Sequence, residues 1–127
     1  MKNNVSQQMK ELLGAYSDKI MKEIPQILFD VGLDAADELK SVGGFKNRTG
    51  KYRRSWDVKQ EEHRTYVETI VHAKTPEYRL THLLEFGHAT ANGGRTKAFP
   101  HIRTVNDKAV EDAEKKIVRM IQEIRIL

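Results

Sequence analysis

His82, Glu85 and His88 stand at i, i+3 and i+6, and together they are the first place to look for chemistry. A zincin places two histidines at i and i+4 with a glutamate beside the first, so that both imidazoles face one metal. The spacing here differs, and Gly87 should break the helix before His88. His72 and His101 lie elsewhere in the chain. No metal site is expected. The chain has no cysteine, which removes thiolate nucleophiles, and no Gly-x-Ser-x-Gly elbow occurs. Gly93-Gly94-Arg95-Thr96-Lys97 lacks the glycine–lysine spacing and the preceding apolar strand of a phosphate loop. Basic side chains near histidines leave one enzyme reading open, a toxin-like ribonuclease. Otherwise no catalytic residue and no cofactor is expected.

The elements that would carry these residues fall into three regions of one expected domain, 1–43, 44–103 and 104–127. Val5, Met9, Leu12, Tyr16, Ile20, Ile24, Ile27, Val31, Ala35 and Leu39 recur in steps of three or four, which is helical periodicity. Pro25 lacks an N–H and should kink or divide that helix near Lys22–Ile24. Gly14 and Gly32 weaken it further, and Val42-Gly43-Gly44-Phe45 should end it. Ser55–Gln60 and Thr65–Val71 alternate as two strands of an antiparallel hairpin, with Trp56 buried against the first helix. Glu77 to Phe86 reads as a short helix that buries Leu80, Leu83 and Leu84 and stops at Gly87. Residues 88–98 read as a flexible loop or hairpin tip leading to an edge strand near Phe99. Thr104 and Asp107 fit a capping box before a helix striped by Val105, Ala109, Ala113, Ile117, Ile121 and Ile124. The expected class is α+β, with a long kinked N-terminal helix and a C-terminal helix on a small antiparallel sheet.

Composition narrows the function classes. A length of 127 residues suits one domain with a single core. No run approaches the eighteen apolar residues of a membrane span, and Met1-Lys2-Asn3-Asn4 has no apolar stretch behind it. Neither a secretion signal nor a membrane partner is expected. The net charge is +4, and Lys46, Arg48, Lys51, Arg53 and Arg54 cluster in sequence. Such a cluster suits contact with nucleic acid that does not read its sequence. A small basic nucleic-acid-binding protein is therefore an alternative, although no helix-turn-helix pattern is evident.

Three fragments in fixed order complete the reading. They are Arg48-Thr49-Gly50-Lys51-Tyr52-Arg53-Arg54-Ser55-Trp56, Leu83-Leu84-Glu85-Phe86-Gly87-His88 and Phe99-Pro100-His101-Ile102-Arg103. The chain resembles the tail-completion, or head–tail joining, family of long-tailed bacteriophages over roughly Thr49 to Val105. Family elements map onto Thr49, Gly50, Arg53 or Arg54, Ser55, Glu85, Phe86, Gly87, Phe99 and Pro100. His88 departs from the family's usual threonine, and Phe99-Pro100-His101 is a reduced form of its Arg-Pro-Phe element. From the residues alone, Thr49 should cap the following turn, Gly50 should take positive φ, and Glu85 should point outward or pair with Arg53 or Arg54. The resemblance implies a non-enzymatic morphogenesis protein located in the virion at the head–tail junction, and in the host cytoplasm during assembly. Implied partners are the tail tube, terminator or stopper rings, and copies of the chain itself in a ring around passing DNA. Arg95 and Lys97 are expected to face a neighbour or that DNA channel.

Overall fold

The computed structural model describes residues 5–41 and 50–124. Helix α1 spans Val5–Leu39 and α2 spans Lys51–Arg54; strands β1 (Trp56–Glu62) and β2 (Val67–Ala73) follow. A 3-10 turn at Glu77–Leu80 leads into α3 (Thr81–Phe86), and α4 covers Ile102–Glu123. The class is α+β, as the alternation of helical and strand periods required.

Helix α1 corrects one expectation. It runs unbroken for 35 residues with Pro25 inside it, so the helix is not divided there. Proline removes a single i→i−4 bond, and the packed face on either side compensates. Ile24, Ile27 and Leu28 are half-buried around it. Gln60 of β1 donates from Nε2 to the Pro25 carbonyl at 2.8 Å and to Thr69 Oγ1 at 3.0 Å, which ties the proline turn to the hairpin. Gly32, which costs helix propensity, has a packing reason. A Cβ there would lie 3.0 Å from both Val58 Cγ1 and Thr69 Cγ2, so the glycine lets helix and hairpin approach closely. The helix ends at Leu39, with Lys40 and Ser41 in a turn; the expected glycine stop at 42–45 lies outside the described residues.

The hairpin is antiparallel with Trp56 opposite Ala73 and Glu62 opposite Val67; its strands begin one and two residues later than expected, and each ends two residues later. Its inner face and the C-terminal half of α1 enclose the core of Ala35, Ala36, Leu39, Tyr52, Trp56, Ala73 and Val105. Trp56 is 5% exposed, as expected of it. Helix α4 lies antiparallel along α1, with Lys108 bridging to Glu38 and Lys116 to Asp34. It starts at Ile102, with His101 at the N-cap and no side-chain cap from its own first turn. Thr104 and Asp107 therefore sit inside the helix, and the capping box does not form.

Candidate functional site: a clasp built around Glu85

The three sequence fragments converge on one buried node. Helix α3 ends with Leu84-Glu85-Phe86 and is capped by Gly87; among the helix residues only Glu85 is buried. Its Oε1 accepts the N–H groups of His101 (2.7 Å) and Ile102 (2.8 Å), and Oε2 accepts that of Arg103 (3.1 Å). Those are the orphan donors at the N-terminus of α4, so Glu85 caps that helix from 16 residues away in sequence. This corrects the expectation that it points outward or pairs with Arg53 or Arg54. The helix supplies both hydrogen-bond donors and the positive end of its dipole, which suits one carboxylate better than an arginine fork. Burial opposes ionisation of Glu85, yet the three N–H donors outweigh it and hold its carboxyl below the ordinary glutamate value.

His101 closes the node. Its ring is 0% exposed and its Nδ1 lies 2.6 Å from the Phe99 carbonyl and 3.1 Å from Glu85 Oε1. Both neighbours are acceptors, which places a proton on Nδ1 and leaves Nε2 as an acceptor that needs a donor. Tyr52 supplies that donor from its hydroxyl at 2.8 Å. Burial, followed by the charge of Glu85, raises the Tyr52 pKa well above its usual value, against the opposing charge of Arg53; the phenol therefore stays protonated. Tyr52, Trp56 and His101 meet edge to face at centroid distances of 5.8–6.4 Å. Trp56 Nε1 is buried there without a hydrogen-bond partner among the described residues.

This Tyr–His–Glu chain has the connectivity of a catalytic relay but is sealed from solvent. Tyr52, Glu85 and His101 are 5%, 7% and 1% exposed, so no substrate atom can reach them without unfolding the node. Within the fold it fastens the start of α4 to α2 and α3. The sequence offered His101 and Tyr52 as positions in two separate fragments, with no link between them. The signal that links them, a phenol 49 residues from an imidazole, has no local periodicity.

The remaining motif residues surround the clasp. Gly50 takes φ 76°, as expected, whereas Thr49 lies outside the described residues. Arg53 donates to the Lys40 carbonyl at 3.4 Å, at the C-terminal turn of α1 where a cation is favoured. Arg54 is exposed, and the Ser55 hydroxyl donates to the Tyr52 carbonyl. Gly87 has φ 70°, and a Cβ there would come within 2.6 Å of the Thr96 carbonyl; this backbone contact leaves room only for glycine. Phe99 is half-buried and its N–H bonds the Leu84 carbonyl at 2.6 Å; Pro100 is exposed. Two residues of the second fragment thus build the fold, while Phe86 between them is 71% exposed. Leu80, expected to be buried, is 42% exposed, as Tyr78 is at 48%.

Residues 88–98 are a closed hairpin rather than a featureless loop. Thr90 N–H bonds the Gly94 carbonyl, Thr96 N–H bonds the His88 carbonyl, and Ala89 pairs with Arg95. They form no edge strand longer than that bridge. Arg95 donates back to the Phe86 carbonyl at 3.4 Å, and Lys97 lies 5.6 Å above the Phe99 ring. Both remain at the surface. His82, Glu85 and His88 do not converge: His82 is exposed, Glu85 is in the clasp, and His88 bonds Thr96. One other trio, missed from the sequence, sits at the tip of the β1–β2 hairpin. Glu61 and Glu68 face each other in register, and His63 lies 3.7 and 3.2 Å from their carboxylates while stacking on Tyr66. Opposed like charges destabilise a strand pair, and the imidazole between them offsets that cost.

The scaffold is thus a long helix and a hairpin around a buried polar clasp, with an exposed aromatic at the rim of the clasp. The family model "Bacteriophage HK97-gp10, putative tail-component" matches residues 7–87, and the chain belongs to this HK97-gp10-like family. It is a phage structural protein of the tail. The match takes in the first sequence fragment and the second as far as Gly87, while the third lies beyond it. No curated protein and no solved structure matches the chain.

Proposed function

We propose that the chain completes the phage tail and joins it to the filled head, acting by interface formation and without catalysis. Its place is then the tail end that meets the capsid connector, reached from the host cytoplasm during assembly. Its partners are the tail tube, terminator or stopper rings, and copies of itself in a ring through which DNA passes without sequence readout. The observation that carries this reading is the division of labour in Glu85-Phe86-Gly87. Two members are buried and committed to the fold, while the third holds a phenyl ring in solvent with 71% of its surface exposed. A large apolar side chain fixed outward by a rigid base is how interface anchors are presented.

The test is Phe86→Ala in a phage otherwise intact. The expected result is an unchanged melting temperature together with separate filled heads and tails by electron microscopy. Normal yields of joined particles would refute the role assigned to Phe86. A nucleic-acid-cutting activity of the purified chain, abolished by His82→Ala or His88→Ala, would favour the ribonuclease reading instead.

A further inference from the structure

Helix α4 is shorter than the helix it lies on. Its last residues, Met120, Glu123 and Ile124, come alongside Lys19 and Glu23 of α1, so the first part of α1 projects past its end. The projecting arm is not polar. Val5, Met9, Leu12 and Leu13 are 70%, 54%, 42% and 63% exposed, and Tyr16 and Ile20 are half-buried. At 100° per residue these six side chains fall within an arc of about 100°, the width of a stripe that packs against another element.

The order of the stripe identifies what it packs against. A two-fold axis placed between Leu12 and Leu13, with a second arm running antiparallel, sets Val5 opposite Ile20, Met9 opposite Tyr16 and Leu12 opposite Leu13. All six apolar positions map onto apolar positions. The same operation sets Lys10 opposite Ala15, Glu11 opposite Gly14, Ser6 opposite Lys19 and Gln7 opposite Asp18, so no like charges meet. An interface between identical chains about a two-fold must be self-complementary in this way; a binding site for an unrelated partner has no such requirement. We infer that two copies of this chain pair through antiparallel contact of their α1 arms, centred on Leu12 and Leu13. Six side chains per copy fall well short of the 20–30 residues a side of a standard interface, so the pair forms reversibly at high micromolar concentration.

The pairing is measured on purified full-length protein, so its outcome is separate from that of the joining assay. Sedimentation velocity from about 10 to 500 μM should show the mass rising from monomer toward dimer, and Leu13→Glu should abolish the rise without changing the melting temperature. The natural chain has no cysteine, which makes the register directly testable. Chains carrying Met9→Cys, mixed with chains carrying Tyr16→Cys under mild oxidation, should give the mixed disulfide dimer. Each variant alone should give little, because like positions stand about 10 Å apart along the antiparallel pair. A chain that stays monomeric to 500 μM, or links Met9→Cys to Met9→Cys as readily as to Tyr16→Cys, would overturn the inference.

Discussion

Glu85 carries its charge inside the fold because three main-chain donors converge on it, and this gives the clasp a defined response to acid. Its folded carboxyl is held below the ordinary glutamate value. The stability it contributes is therefore complete above the ordinary glutamate range, and is lost as pH falls through that range and then through the lower folded value. Glu85→Gln keeps the shape and removes the charge, and should cost about 2–3 kcal/mol at neutral pH. Thermal melts of both proteins should converge as pH is lowered through the ordinary glutamate range and below it; a gap independent of pH would show that the charge is immaterial. Trp56 sits beside the clasp and loses both packing and edge-to-face contacts when truncated. Trp56→Ala should cost about 3–5 kcal/mol by denaturant titration, a large share of the stability of an ordinary domain.

Among elements, α1 separates into a packed half and a bare half, and glycine has opposite meanings in the two. Gly32 is needed for approach to Val58 and Thr69, whereas a Cβ on Gly14 would meet nothing within 4 Å. Gly14→Ala should therefore raise helicity by circular dichroism and stabilise the arm locally by about 1 kcal/mol. Gly32→Ala should instead press on the hairpin. The sequence made the elements legible because each of them repeats: α1 by steps of three and four, the hairpin by alternation about Trp56, α4 by its isoleucine and alanine stripe. It misplaced the start of α4 because Thr104-Val105-Asn106-Asp107 has the local form of a cap, while the real cap, Glu85, comes from another helix. It overstated the effect of Pro25, whose lost hydrogen bond is local but whose turn is held by Gln60 from the hairpin. The clasp was half visible. Glu85 stood out as a carboxylate among apolar residues, but its partners Tyr52 and His101 are joined to it only by tertiary geometry.

At the scale of the whole molecule, the fold separates what holds the chain together from what it offers to others. The core and clasp lie at one end, where α2, α3 and the start of α4 meet the last turns of α1. Exposed apolar side chains include Phe86 at the rim of the clasp, Tyr78 and Leu80 beside it in sequence, and those along the projecting arm. No helix among the described residues is long and apolar enough to cross a membrane. Substitutions at Phe86 and at Leu13 should act on different contacts. Combining Phe86→Ala with Leu13→Glu should leave the melting temperature of the single variants unchanged, since the sites share no partners.

The hairpin at 88–98 is pinned at its base, by the Phe99 N–H on the Leu84 carbonyl and by the Glu85 carboxylate on the start of α4, while a Cβ at its tip residue Gly93 would meet nothing within 4 Å. A segment fastened below and open above can be lengthened without moving either fastening. Ten glycine and serine residues inserted between Asn92 and Gly93 roughly double the loop, at a closure cost of about 0.6 kcal/mol. The melting temperature should fall by only about 2–4 °C. That tip is thus a place to graft an epitope or a gold-binding peptide, and micrographs of labelled particles would then show where along the tail each copy sits.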